Sequence, residues 1–209
     1  MNYFDSLMTV LNRWAHLGSR VTKRGVRLIG ETPSLIQKNK LITLHVVYEP
    51  LNETGILRLE TILDHPLPTA LRDFYSKANG LSIFGGMLSL QGIRHDYSRA
   101  LTDEGMYQPV SLEYGNTTER PKGYTPNMTF FGWYDYDGSK IYARTDDRRI
   151  FMCPRYTVEP TLCEWPDFQT FLLSEAERSA DLFEEGGRMI DEEVPGVPLE
   201  ALKRAGHLH

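Results

Sequence analysis

The sequence has little cysteine and no long apolar run, and both absences exclude classes of protein. Its two cysteines, Cys153 and Cys163, do not form a C-x-x-C pair. We therefore expect two reduced, buried thiols and not a disulfide scaffold or a redox pair. No stretch approaches the roughly 20 apolar residues that span a bilayer, and the N-terminus lacks the layout of a signal peptide. The sequence predicts a cytoplasmic protein that has no membrane partner.

The chain also lacks a concentration of positive charge large enough to bind nucleic acid. Its formal net charge is −5. Seven basic and two acidic residues lie in residues 1–40, whereas eleven acidic and two basic residues lie in residues 164–200. Because phosphate binding needs a concentrated cationic surface, we expect no nucleic-acid partner. An acidic region is commonly a solvated helix face, and it also suits a basic protein partner.

Motifs that carry catalysis or hold cofactors are absent. There is no G-x-S-x-G, P-loop or G-x-G-x-x-G, and none of the six histidines occurs in an H-x-x-x-H spacing. The segment from Asp135 to Asp146 has the acidic spacing of a calcium loop. It has Lys140 where the sharp turn needs glycine, and it lacks a glutamate at the last ligand position. The sequence predicts no catalytic residue, no metal ligand, no cofactor and no enzyme activity.

A helix followed by a hairpin is the clearest pattern present. Pro68 fits the first position of a helix, and an apolar stripe of period 3.6 follows it. Asn79-Gly80 ends this helix, because both residues tolerate the left-handed conformation of a C-terminal cap. Two strands, Leu81–Phe84 and Met87–Ile93, are predicted around Gly85-Gly86.

A second β region and a closing helix follow. The sequence predicts a meander and then a helix in which Pro166 takes the first position and Gly186-Gly187 marks the end. The meander strands are Thr129–Tyr136, Lys140–Arg144 and Arg149–Cys153. Further predictions are an amphipathic helix over 3–17, a strand at Leu41–Tyr48, a short helix over 56–63, a strand at Gln108–Tyr114, a long loop at Gly115–Asn127 and a short helix at Leu199–Ala205.

Tight turns between strands imply antiparallel pairing. We therefore predict an α+β fold, a mainly antiparallel sheet backed by helices on one face, in a single domain with an N-terminal helical arm.

Three segments in this order resemble the SMI1/KNR4 (SUKH) superfamily. They are Leu67–Leu81 with its hairpin, Phe130-Phe131-Gly132 before the Asp137-Gly138 turn, and Trp165-Pro166-Asp167-Phe168 with Phe171-Leu172. The resemblance divides the chain into an N-terminal helix and leading strand (1–50), an SMI1/KNR4-like domain (51–187) and an acidic C-terminal tail (188–209). It implies an antiparallel sheet backed by helices, in agreement with the pattern of the residues.

The resemblance implies a bacterial immunity protein, which binds and neutralises a cognate polymorphic toxin by protein–protein occlusion. Its partner would be the C-terminal toxin domain, in some systems a nuclease. Two other interpretations stay open: a regulatory interaction scaffold without a toxin partner, and an enzyme with a dispersed active site. The oligomeric state is left undetermined.

Tyrosines and aspartates near the second hairpin are the predicted partner-binding residues. Seven of the eleven tyrosines lie between Tyr97 and Tyr142. Aromatic rings anchor protein interfaces and carboxylates orient the partner, although the same residues also stabilise hairpins. The predicted contact residues are Tyr114, Tyr134, Asp135, Tyr136 and Asp137.

Overall fold

The structure is a computed structural model that describes residues 2–33, 41–98, 100–191 and 193–206. Parts of the predicted N-terminal and C-terminal segments, residues 1, 34–40, 192 and 207–209, therefore lie outside the described residues.

One antiparallel sheet organises the fold. Across the described residues it has nine strands, and each pairs with the next strand along the chain. The strands are β1 Ser19–Val21, β2 Arg27–Pro33, β3 Leu41–Val47, β4 Leu81–Ile83, β5 Leu88–Leu90, β6 Met128–Tyr134, β7 Lys140–Arg144, β8 Asp147–Cys153 and β9 Cys163–Trp165. The helices are α1 Tyr3–Leu11, α2 Glu53–Leu63, α3 Thr69–Tyr75, α4 Asp103–Met106, α5 Phe168–Ala180 and α6 Leu199–Arg204. The α+β prediction is confirmed.

The two faces of the sheet have different surroundings. On the inner face, Phe131 lies with its ring centroid 5.7 Å from that of Phe168 and 6.0 Å from that of Phe171, so α5 covers this side. Phe130 lies on the opposite, outer face in a smaller cluster that includes the Tyr142 and Phe151 rings. A register shift between Phe130 and Gly132 marks a β-bulge in β6.

Helix α5 begins two residues later than the sequence predicts, at Phe168 and not at Pro166. Asp167 has extended backbone dihedrals, and its carboxylate accepts a hydrogen bond from the Thr170 backbone N–H at 2.8 Å, so it is the N-cap. Pro166 therefore precedes the helix and does not occupy its first position, and the helix ends at Ala180, before Gly186-Gly187. Pro68 likewise stands before α3, which begins at Thr69.

Two further local predictions are corrected, and two others are confirmed. The helix predicted over 3–17 ends at Leu11 and continues as a 3-10 helix, Asn12–Leu17. The segment Gln108–Tyr114 contains only a single bridge from Ser111 to Gly92, and a π-helical turn, Tyr114–Thr118, follows it. The strands Leu81–Phe84 and Met87–Ile93 are confirmed as β4 and β5, although both are shorter. The predicted C-terminal helix is confirmed as α6.

Both ends of the chain contribute to the main hydrophobic core. Leu7 and Leu11 of α1 and Ala201 and Leu202 of α6 are buried in the same cluster as α5. The described residues of the predicted N-terminal arm and C-terminal tail thus include core residues. Within the described ranges, no helix has both the length and the apolar composition needed to cross a membrane.

Candidate functional site

The candidate site is a cavity of about 430 Å³ on the outer face of the sheet, called the outer pocket below. Its floor is built by β6, β7 and Gln91, which directly follows β5; one wall is built by residues 110–119, and the other by the β6–β7 turn and Arg155. The floor residues are Gln91, Phe130, Gly132, Trp133 and Lys140. The pocket is therefore on the side of the sheet opposite α5.

Strand register explains which side chains reach the floor. Ser89 pairs with Trp133, and Trp133 pairs with Lys140. Residues that pair directly across antiparallel strands share a face, so this row lies on one side of the sheet. Leu90 and Ile141 lie in the inner core, one position away in each strand. Alternation thus directs Trp133 and Lys140 outward.

Gln91 supplies a buried polar group with unused hydrogen-bonding capacity. Its backbone is fixed, because its N–H donates to the Phe131 carbonyl at 2.7 Å and its carbonyl accepts from the Tyr75 hydroxyl at 2.9 Å. The residue is 8% exposed, and its side-chain Oε1 has no hydrogen-bond partner among the described residues. An unpaired buried amide oxygen is costly, by about 1–3 kcal/mol. The floor is therefore suited to a ligand that donates a hydrogen bond.

Lys140 lies on the floor with its charge directed to one wall. Its ammonium donates to the Glu119 backbone carbonyl at 2.7 Å and lies 3.9 Å from the Glu119 carboxylate. Burial lowers the pKa of Lys140, and the nearby Glu119 carboxylate opposes that shift. The lysine thus ties the residue 110–119 wall to the sheet.

Four of the five predicted contact residues present polar or aromatic groups at the pocket. Tyr114 is 50% exposed and Tyr136 is 59% exposed. The Asp135 carboxylate is exposed and has no hydrogen bond or ion pair within the described ranges. Asp137 accepts hydrogen bonds from the Ser139 N–H at 2.8 Å and the Ser139 hydroxyl at 2.6 Å.

The prediction that Tyr134 presents its ring to a partner is wrong. Tyr134 is fully buried, and its hydroxyl donates a hydrogen bond to Glu175 on α5 at 2.5 Å. The bulge in β6 sets this orientation, because it shifts the alternation between Phe130 and Tyr134. Tyr134 borders the pocket as part of its framework, and its side chain serves the inner core.

Sequence reasoning missed the floor of the pocket. Gln91 and Trp133 lie within predicted strands, but neither is among the predicted contact residues. Strand alternation is a signal for Gln91, since Leu88 and Leu90 are apolar and Ser89 and Gln91 are polar. The sequence offers no comparable signal for Trp133, because the bulge changes which β6 residues face outward.

A second cleft, of about 920 Å³, lies on the helix side between α1, α3, α5 and the β7–β8 turn. It is acidic, but its carboxylates are already engaged. Asp73 accepts from the Tyr3 hydroxyl, Asp146 from the Asn127 amide and Asp167 from the Thr170 N–H. Asp147 lies 2.6 Å from the Arg149 guanidinium. These contacts make the second cleft a weaker candidate than the outer pocket.

Groups that could support catalysis are few in the part of the chain that the structure describes. No group of three or more His, Cys, Asp or Glu side chains is placed there to hold a metal ion. His45 is buried, and burial lowers its pKa to about 3. Burial also raises the pKa of Cys153 to about 12 and of Cys163 to about 11, so neither thiol is an activated nucleophile.

Comparison with models of known protein families identifies the family of this chain. A sequence model of the SMI1/KNR4 family (SUKH-1) matches residues 50–174, a range that includes β4 through β9, α2, α3 and the first half of α5. This family is of the immunity-protein type, which is typically non-enzymatic and which implies a protein partner. No curated protein matches the chain.

Proposed function

The chain belongs to the SMI1/KNR4 family (SUKH-1), and we propose that it is an immunity protein that binds and neutralises a cognate bacterial toxin. The family match carries this proposal, because members of this type act through a protein partner. The proposed mechanism is occlusion: the chain covers the toxin's active site or blocks the approach of its substrate. The proposed site of action is the cytoplasm, and the proposed target is the C-terminal toxin domain of a larger protein.

The outer pocket is the proposed contact surface. Tyr114 and Tyr136 both line the pocket and are both at least half exposed. Large aromatic side chains in such positions bury much area on binding and lose little conformational entropy. Trp133 is half-buried on the pocket floor. Together they support a contact in which a projecting part of the toxin enters the pocket.

The charge of the chain fits a basic toxin. Three carboxylates line the pocket, those of Glu119, Asp135 and Asp137, against the two cations of Lys140 and Arg155. The whole chain carries a net charge of −5. An acidic protein attracts a basic partner and accelerates its association at low salt. A toxin that acts on nucleic acid would present such a basic surface.

The test begins with the partner and ends with protection of cells. Tagged full-length chain is purified from its native cells, and the stoichiometric partner is identified by mass spectrometry. The partner's C-terminal domain is then expressed in a sensitive strain with and without the chain. We expect growth arrest without the chain and growth with it. A housekeeping partner that is not toxic would favour the scaffold interpretation, and substrate turnover would favour the enzyme.

Paired variants test the surface separately from the function. Tyr114→Ala combined with Tyr136→Ala should weaken toxin binding by about 30-fold or more, the change that corresponds to about 2 kcal/mol at an interface anchor. Tyr97→Ala is the matched control, because Tyr97 is 65% exposed and does not line the outer pocket. Equal binding by the double variant and the control would remove the outer pocket from the interface and leave the immunity function standing.

A further inference from the structure

We propose that the outer pocket receives an arginine side chain of the partner, whose guanidinium donates a hydrogen bond to Gln91. This inference rests on the proposed function for the identity of the partner as a protein. The choice of arginine rests on the pocket alone: on the hydrogen-bond acceptor of its floor, on its aromatic lining and on its charges.

The floor needs a donor. Gln91 is more than nine-tenths buried and borders the pocket, and its side-chain Oε1 has no partner among the described residues. Its backbone is held by Phe131 and Tyr75, so the side chain starts from a fixed position at the end of β5. A partner group that donates a hydrogen bond to Oε1 replaces the hydrogen bond to water that this oxygen loses on burial. Aliphatic side chains would leave the oxygen unpaired.

The aromatic lining of the pocket favours a flat cation. Tyr114, Trp133 and Tyr136 border the cavity, and the faces of aromatic rings attract cations. The Asp135 carboxylate at the rim has no partner within the described ranges and is available for an ion pair. A guanidinium is planar, stacks on aromatic faces and offers five donors in a fixed fork. Lysine is compact and strongly hydrated, which makes it the weaker fit.

The cations already in the pocket are directed elsewhere. The Lys140 ammonium is held by Glu119 through its backbone carbonyl and, at 3.9 Å, its carboxylate. The Arg155 guanidinium carbon lies 5.1 Å from the centre of the exposed Tyr156 ring. These two positive charges are outnumbered by the three carboxylates of the pocket. An incoming arginine therefore meets a net negative lining.

The experiment uses the isotope-labelled full-length chain and small probes of known chemistry. Nα-acetyl-arginine amide is titrated while the Gln91 side-chain amide and the Trp133 indole N–H are followed by NMR. Nα-acetyl-citrulline amide, a neutral analogue of the same shape, is the matched probe. A ligand of this size is expected to bind with a Kd of about 1 mM. We expect saturable shifts at both reporters with the arginine probe and at least about 10-fold weaker binding of the citrulline probe.

Two variants locate the contact. Gln91→Leu should weaken binding of the arginine probe by at least about 5-fold, since the hydrogen-bond acceptor is lost. Gln91→Glu should instead tighten binding, because it adds a negative charge. Asp135→Asn should weaken it by about 2- to 5-fold, the range for an exposed ion pair. Glu185→Gln is the control, because Glu185 is exposed and lies outside the pocket. An NMR spectrum of each variant with the same chemical-shift dispersion as the wild-type spectrum shows that the variant is folded.

Specific outcomes would overturn the arginine inference. They are an absence of saturable shift up to about 50 mM probe, equal binding of arginine and citrulline, or binding that survives Gln91→Leu in a folded variant. The two proposals fail separately. A chain that protects cells from a toxin but ignores the arginine probe retains the immunity function. A chain that binds the probe but neutralises no toxin retains the arginine site alone.

Discussion

The hydroxyl of Tyr134 donates a hydrogen bond of 2.5 Å to the carboxylate of Glu175, and this bond joins β6 to α5 through the inner core. Glu175 is 3% exposed and also accepts from the Arg178 guanidinium at 2.8 Å. Arg178 in turn donates to the Gly196 carbonyl at 2.8 Å, which attaches the C-terminal segment. Buried charges are stable only when paired and fully hydrogen-bonded, so the three elements depend on one another.

Tyr134→Phe should destabilise the fold and leave the contact surface intact. The change removes a hydrogen bond to a buried carboxylate, and we expect the free energy of unfolding to fall by about 2 kcal/mol. Chemical denaturation monitored by circular dichroism measures the loss. Tyr136→Phe is the matched control, since Tyr136 is 59% exposed, and its effect should stay within about 0.5 kcal/mol. Equal stability of the two variants would contradict the role assigned to Tyr134.

The spacing of apolar residues predicted the helices and strands that bury one face. The helix α3 and the hairpin of β4 and β5 followed from an apolar stripe and from Asn79-Gly80. Strand β1 was missed because all three of its residues are exposed, so it has no alternation to detect. Its turn is fixed by hydrogen bonds between Thr22 and Val26, with Gly25 at φ 93°, a conformation that glycine adopts readily.

The site was predicted only in part, and the reason is the β-bulge. The composition of the sequence identified residues of the pocket walls, because it pointed to the aromatic Tyr114 and to the aromatic and acidic Asp135–Asp137 turn. It grouped Tyr134 with Tyr136, although the first faces the core and the second faces solvent. A local irregularity of this kind depends on long-range packing. The residues that build the pocket floor are therefore visible only in three dimensions.

Because His45 is buried, the free energy of unfolding should fall as the pH is lowered. Its Nδ1 accepts from the Phe84 N–H at 3.2 Å, and burial lowers its pKa to about 3 from 6.5. Between these values the unfolded chain binds a proton that the folded chain does not. Stability from this group is complete above pH 6.5 and falls by about 1.4 kcal/mol per pH unit towards pH 3. Urea denaturation at a series of pH values measures the slope.

The variant His45→Asn isolates this contribution from that of the carboxylates. Its amide oxygen can accept the Phe84 N–H, and it does not titrate. The stability difference between the wild-type chain and the variant should change with pH below 6.5. His16→Asn, on an exposed histidine, should reproduce the wild-type slope. A difference that stays constant with pH would show that His45 does not govern the slope.

The two thiols should be unreactive in the native protein. Cys153 and Cys163 are buried, with pKa values raised by burial to about 12 and about 11. At pH 8 their thiolate fractions are therefore on the order of 0.0001 and 0.001. We expect slow reaction with a thiol reagent such as DTNB, and rapid reaction of both after unfolding in guanidinium. Rapid native labelling of either cysteine would mean that its strand opens locally.

Asn79 should be the most sensitive polar position near the hairpin. It is fully buried, its amide donates to the Ile93 carbonyl at 2.9 Å, and its Oδ1 accepts from the Ile93 N–H at 2.7 Å. Asn79→Ala leaves both backbone groups of Ile93 unpaired, and each unpaired group costs about 1–3 kcal/mol, so we expect a loss of about 2–6 kcal/mol in the free energy of unfolding. Thermal and urea denaturation measure it. Asn12→Ala, on an exposed asparagine, should change stability by less than about 0.5 kcal/mol. If Asn79→Ala were equally mild, water would have to replace both hydrogen bonds, and the segment after β5 would be open to solvent.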